Sequence, residues 1–363
     1  MDAAKTFVCV DMRASELRLA VFEKSKDGKA SPMLLNCVRV TYTDGQGQVC
    51  WPLVAGALRE FVGRNGLQGV EAVAGLPGHA LFIRFDEMNS PQRPSRQEVL
   101  QRIMALKPPF SIDQIYYDYT AMPRGEGSWL VMSAVAQKEF VDMLAAAVSE
   151  AGLKLSAVDA VPFASIEAAF SAHDNDAFAN EIVLDIDTAN TTVLFLSHKD
   201  RGHFLRTLPF GTDSIDNLVA EKFNVSVGDA GRLRAQAYSD ASGLTPEVVA
   251  NVRQVGANVL EKIHMELRRS TKVYIEHENE QMPKRIQLAG AAAESSVGSY
   301  FQKALDIATC PFNPLRKIPV AAGSAPGDFA GISPSLGGVV GLALRHGLDR
   351  QYRLNLIEEQ TGK

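Results

Sequence analysis

VDMRASELRLAVF (residues 10–22) and LDIDTANTTVLFL (residues 184–196) follow one pattern. Each starts as an apolar run that delivers an aspartate to a polar corner, then returns as a second apolar run. Aligned from Val10 and Leu184, Asp11 falls on Asp185, and the corners and apolar runs match position by position. Short apolar runs bounded by a polar corner read as buried strands. Each stretch therefore predicts strand, tight corner, strand, and a near-repeat at half-chain spacing predicts two similar domains. An aspartate at the end of a buried strand suits a magnesium–phosphate site, because a hard cation takes oxygen ligands and keeps several waters. Asp11 and Asp185 are thus candidate ligands of one Mg²⁺ between the two domains. A second reading stays open: both aspartates end strands and accept turn hydrogen bonds.

Outward from the first corner, a third apolar stretch lies at 34–42. WPLVAGALREFVGRNG (51–66) has helical spacing, and GVEAVAGLP (69–77) is a buried strand. Residues 80–157 predict a separate α+β module in the order β-α-β-β-α. Its first helix opens on a capping-box spacing, Ser95 with Glu98. After 153 the α/β pattern resumes, and the polar stretch DNDAFAN (174–180) reads as an interdomain linker. Strands follow at 181–187, 190–198 and 203–210, then a helical region at 213–280 and the strand RIQLAG (285–290). Residues 319–334 read as loop, and LGGVVGLALRHG (336–347) as a closing helix. The fold class is α/β. Domain one takes 1–79, 158–180 and 335–350, with the module at 80–157 inserted. Domain two takes 181–334, and 351–363 is a tail.

The bulk numbers narrow the function. A chain of 363 residues suits two domains or one with a large insertion. A net charge of −5 and the absence of a basic block disfavour nucleic-acid binding. The four cysteines lack CxxC spacing and read as small buried hydrophobes in a reducing cytoplasm. The seven histidines lack zinc-ligand spacing. No signal peptide and no apolar stretch long enough to span a membrane are expected.

Further motifs carry a resemblance. The corner VDMRASELR stands where PilM-like proteins of type IV pilus assembly, relatives of the division protein FtsA, read roughly V-D-I-G-S-S-x-V-K. LPGHALFIRF leads to PPFSIDQIYYDY (108–119), similar to the family's P-F-x-x-D-x-x-x-x-D-Y. VAQKEFV (135–141), AGLKLSAVDAVPFA (151–164), RTLPFGT (206–212), ELRRS (266–270), IQLAGAAA (286–293) and GLALR (341–345) follow in the family's order over nearly the whole chain. The resemblance implies an actin-like fold, ribonuclease-H-like and duplicated, with the small module inserted and a helical subdomain at about 213–280. It implies ATP and Mg²⁺ between the halves, near Asp11, Arg13, Arg18, Asp185, Asp187, Thr191, Thr192, Gly211 and Gly290. Glu266, Arg269 and Ser270 fall where the family lines its adenine pocket.

The corners depart from that family pattern. Backbone amides approach a phosphate closely where glycine leaves room. Here Arg13 and Asp187 replace glycines, Thr212 follows Gly211, and Ala291 and Ala292 follow Gly290. A carboxylate beside a triphosphate repels it, and Arg13 could offset Asp187 by pairing with it or with phosphate. ATP hydrolysis is therefore not expected, while weak Mg–ATP binding stays open. A small-molecule kinase of the same fold lacks its phosphate corner here.

The resemblance also implies a partner: the short cytoplasmic peptide, of the type I-N-L-L-P, of a PilN-like membrane protein. It would lie between the module and the first domain. Leu81, Ile83, Phe85, Phe110 and Ile112 are the groove candidates by placement, or plain module core. The tail carries a similar pattern, Leu354-Asn355-Leu356-Ile357. It reads either as a frayed terminus or as a segment docking in its own groove or a neighbour's. The expected function is a cytoplasmic scaffold, peripheral to the inner membrane through its partner and coupling a pilus or related secretion platform to a motor ATPase. Self-association is in keeping with the fold. The mixed-charge tail disfavours direct membrane insertion. A working ATPase switch is the alternative.

Overall fold

In the computed structural model, residues 5–25, 30–42, 49–108, 110–173, 180–197, 204–240, 242–277, 281–293, 295–324, 329–347 and 353–358 are described. The expected linker at 174–180 lies outside them except for Asn180. The chain divides into two compact units: Met1–Ala168 with Leu315–Phe329 and Gly338–Lys363, and Ala169–Pro314 with Ala330–Gly337.

The first unit opens with β1 (Thr6–Met12), β2 (Glu16–Glu23) and β3 (Met33–Thr41). Helix α1 (Trp51–Asn65) ends at Gly66, whose positive φ of 64° closes the last turn. Then come β4 (Glu71–Leu76) and β5 (Leu81–Asn89), α2 (Arg96–Ala105), β6 (Ile115–Gly125), β7 (Ser128–Gln137), α3 (Lys138–Glu150), β8 (Lys154–Ala160) and α4 (Val161–Ser171). The main sheet runs β3-β2-β1-β4-β8, antiparallel on one side of β1 and parallel on the other. β1 and β2 are buried along almost their whole length, which is why both read as unbroken apolar runs.

The second unit holds β9 (Glu181–Ile186), β10 (Thr191–Leu196), β11 (Phe204–Leu208), α5 (Thr212–Phe223), α6 (Val227–Tyr238) and α7 (Pro246–His277). β12 (Arg285–Gly290), α8 (Ser295–Leu305) and β13 (Ala308–Pro311) follow. Its sheet, β11-β10-β9-β12-β13, repeats the first sheet's order and directions. The repeat extends to register: Asp11 faces Arg18 across β1–β2, and Asp185 faces Thr192 across β9–β10. The chain ends its regular structure with the one-turn α9 (Phe329–Ile332) and with α10 (Gly337–Gly347).

Three features differ from the sequence expectation. Residues 80–157 do not form one separate body. β5, β6, β7 and α2 share a core of Val99, Ile103, Ile115, Tyr117 and Val131. Helix α3 instead buries Val141, Leu144 and Val148 with Val54, Leu58 and Val62 of α1 in the main core, because its apolar stripe faces α1. Second, the division falls inside α4 instead of after it, and 315–329 joins the first unit. There Pro319 and Ala321 hydrogen-bond Leu34 on the outer edge of β3. Third, α8 and β13 carry structure the sequence reading left blank. Val297 and Phe301 of α8 complete the second unit's core.

Candidate functional site

The first corner is a tight turn in which the Arg13 N–H donates to the Glu16 carbonyl at 2.9 Å. Asp11 is fully buried, and the Arg13 Nε donates to both its carboxylate oxygens, at 2.8 and 3.0 Å. Alternate positions of an extended chain share a face, which brings the two side chains together. Arg18, expected at a cofactor, is also fully buried, and its Nε donates to Glu16 at 2.6 Å. Arg39 holds the other Glu16 oxygen at 2.8 Å. Gly338 at the start of α10 backs Asp11: a Cβ there would stand 2.1 Å from Asp11 Oδ2.

The second corner repeats the turn, with the Asp187 N–H donating to the Asn190 carbonyl at 2.9 Å. Helix α5 starts against this corner. The Thr212 and Asp213 amides donate to the Asp187 and Thr188 carbonyls, both at 2.9 Å. Gly211 makes that approach possible, since a Cβ there would lie 2.1 Å from the Thr188 carbonyl oxygen. Gly290, with φ of 87°, passes so close that a Cβ would meet Asp185 Oδ1 at 2.4 Å. The Thr191 hydroxyl donates to the Phe210 carbonyl at 2.7 Å, and Thr192 stands opposite Asp185. Burial pushes the Asp213 carboxyl up, and the charges of Asp216 and Asp187 add to the rise.

On α7, Ser270 is buried, donates to the Glu266 carbonyl at 2.8 Å and accepts from Arg206 of β11 at 3.1 Å. The Arg206 guanidinium also reaches Glu266 at 3.4 Å, and Arg269 pairs with Glu266 at 2.6 Å. The adenine-pocket candidates are thus a cluster organised by Arg206.

Mg–ATP asks for amides free to meet phosphate and for a carboxylate free to meet the ion. Two amides at the α5 start are engaged with carbonyls, the second corner carries carboxylates, and Arg13 lies on Asp11. Among the described residues, no cluster of three or more His, Cys, Asp or Glu side chains is placed to hold a metal.

A different constellation stands at the outer edge of β8. Asn355 lays its side-chain amide along that edge: Nδ2 donates to the Ser156 carbonyl at 3.3 Å, and Oδ1 accepts from the Val158 N–H at 3.1 Å. The Leu356 N–H donates to the Val158 carbonyl at 2.8 Å, and the chain then turns, with the Glu358 N–H donating to the Asn355 carbonyl at 3.2 Å. From β6, the edge of the three-stranded sheet, Asp118 Oδ2 accepts the Asn355 N–H at 2.7 Å. Arg96 of α2 holds the other Asp118 oxygen at 3.0 Å. Burial pushes the Asp118 carboxyl up, against the Asn355 amide and Arg96, which favour its charged form. Leu354 is fully buried, and Leu356 is 2% exposed within the main core. The segment 353–358 is therefore docked on the first unit, not frayed.

Of the groove candidates, Leu81 packs against the same apolar cluster as Leu356 and Ile357. Phe85 meets Phe163 edge-on at 5.5 Å. Phe110 packs on the module core, Ile83 is half-buried, and Ile112 is 53% exposed. Sequence reasoning missed Asp118, Ser156 and Val158. Asp118 was within reach, as the second aspartate of the quoted motif.

Two other motifs explain each other. Asp159 of VDAVPFA is fully buried and binds Arg345 of GLALR at 2.7 Å and His346 at 2.8 Å. Burial would raise its carboxyl, but the Arg345 charge and His346 hold it down at about 2.

Comparison with known proteins agrees with this layout. A structure titled "PilM-PilN type IV pilus biogenesis complex" superposes with a TM-score of 0.78 at 22% identity, covering 94% of this chain and 98% of that one. Ethanolamine utilization protein EutJ from Carboxydothermus hydrogenoformans matches at a TM-score of 0.52 and 15% identity, over 93% and 89% of the two chains. MreB5 of Spiroplasma citri bound to ADP matches at 0.51 and 11%, over 95% and 97%. No curated protein matches the chain by sequence. The three likenesses show the fold, the actin-like two-domain fold. The family model described as "Type IV pilus assembly protein PilM" matches residues 58–347, most of the chain. By that match the chain belongs to the PilM family of type IV pilus assembly proteins.

Proposed function

We propose that this protein is a cytoplasmic scaffold of a type IV pilus inner-membrane platform. It captures the N-terminal peptide of a PilN-like membrane protein and couples the platform to its motor. The observation that carries this is the site between β8 and β6, which already holds an apolar–Asn–apolar segment through hydrogen bonds to the β8 backbone and to Asp118 and through apolar burial. The segment meets that edge as a turn, the Glu358 N–H donating to the Asn355 carbonyl at 3.2 Å, and combines apolar anchors with hydrogen bonds to backbone, as recognised short peptides do. Among the described residues no helix is long and apolar enough to cross a membrane, so the reading ties the protein to the membrane through its partner.

The nucleotide site is degenerate in this reading. A metal on Asp11 must displace Arg13 from a fully buried carboxylate, and separating such a pair costs about 3–5 kcal/mol. Titration calorimetry tests both halves. A synthetic I-N-L-L-P-type peptide should bind, and in an Asn355→Ala/Leu356→Ser background, where the chain's own segment no longer competes, Asp118→Ala should weaken it at least about tenfold, since it removes a charged hydrogen bond. Mg–ATP should leave the heat trace flat and the melting temperature unchanged, because only a bound ligand stabilises the native state. Micromolar ATP binding by the wild type would restore the switching-ATPase reading. Binding only by the Arg13→Gly/Asp187→Gly double variant would support corners closed by those two side chains.

A further inference from the structure

We infer that segment 353–358 is a removable intramolecular ligand: it holds the β8–β6 groove closed, and a peptide of the same pattern supplied by a partner must displace it. The inference rests on the reading that this groove takes the partner's peptide. The segment is held by four hydrogen bonds to the first unit, three made by Asn355 and one by the Leu356 amide. The Asn355 amide is bidentate on β8, donating to Ser156 and accepting from Val158. Only asparagine does both at that reach: aspartate has no donor for the Ser156 carbonyl, and glutamine is one methylene longer. An aspartate there would also set a second carboxylate beside Asp118, which already takes the Asn355 N–H. Leu354 and Leu356 are both buried, Leu356 within the main core. Asp118 is itself paired with Arg96 of α2, at 3.0 Å.

A segment joined to its own site competes at an effective concentration in the millimolar range. The apparent affinity of a peptide in trans then falls by the fraction of molecules that are open. Displacement makes partner capture conditional on releasing the chain's own segment, so the groove favours a partner present at high local concentration, as on an assembling platform.

The test uses the full chain and a fluorescent apolar–Asn–apolar–apolar peptide, read by anisotropy. Asn355→Ala, and separately Asn355→Ala with Leu356→Ser, should bind the peptide at least about tenfold more tightly than the wild type. The same peptide with aspartate for asparagine should bind neither. In the wild type, saturating peptide should speed hydrogen exchange at the Leu356 amide, now bonded to Val158. This second readout needs no variant, so it decides the matter even if the substitutions unfold the protein. Equal affinity in wild type and variants with unchanged Leu356 exchange would overturn the inference and leave the peptide-binding function standing. No binding by any of them, the wild type's Leu356 amide staying protected, would overturn the function itself.

Discussion

Replacing Asp159 by asparagine removes the charge on which Arg345 and His346 converge while keeping nearly the same shape. A carboxyl held at about 2 in the folded chain, against an ordinary 3.8, contributes about 2 kcal/mol at neutral pH. Because the folded value is depressed, that contribution is complete above pH 3.8 and is lost as the pH falls towards 2. By pH 3 about 1 kcal/mol of it is gone. The substitution also leaves Arg345, 4% exposed, without its counter-charge, so the total loss at pH 7 should reach about 3–5 kcal/mol. The chain has two tryptophans, Trp51 and Trp129, and both lie in the first unit. Their fluorescence therefore reports that unit's urea unfolding directly. Wild type and Asp159→Asn compared at pH 7, 5 and 3 should show a gap that stays level to pH 5 and narrows by about 1 kcal/mol at pH 3. A gap under about 1 kcal/mol at pH 7, or one that ignores pH, would refute the assignment of the pair as a buried, charge-stabilised bridge.

Other substitutions probe the remaining joints. Gly341→Ala sets a Cβ 1.8 Å from the Ala164 carbonyl oxygen. Backbone cannot move aside cheaply, so calorimetry should show a loss of about 3 kcal/mol or more, beyond ordinary overpacking. Gly290→Ala meets Asp185 and the Ile186 carbonyl at a positive φ; unfolding followed by circular dichroism should show the second unit destabilised by more than about 1 kcal/mol. Ser95→Ala removes the capping box seen at the start of α2 and should cost about 1 kcal/mol, measured by thermal melting, with Glu98→Gln costing less. Glu181 is 2% exposed. Burial would raise its carboxyl, yet His173, Arg285 and Gln287 hold it below the usual range. Glu181→Ala should therefore cost about 3 kcal/mol at neutral pH. The wild type should lose that support only as the pH falls below the ordinary glutamate range, which a pH series of melts would read.

The sequence by itself determined what is local and periodic. The apolar runs around Asp11 and Asp185 specified four buried strands, and their alignment specified a repeat that the two sheets reproduce down to the register of Asp11 with Arg18 and Asp185 with Thr192. Ser95 with Glu98 specified a cap, which is formed. Such signals are legible because strand and cap geometry depend on neighbours a few residues away. Even the Arg13 partnership was legible in principle, since Asp11 and Arg13 share a face in an extended chain. What tertiary structure decided is non-local. Asp159 needed Arg345, and Val141, Leu144 and Val148 of α3 needed the face of α1. Above all, Asn355 needed Asp118, Ser156 and Val158, residues about 200 or more positions away. No periodicity encodes those meetings. They follow from which sheet edges remain unpaired once the sheets have formed, and from the cost of leaving their amides, carbonyls and charges without partners.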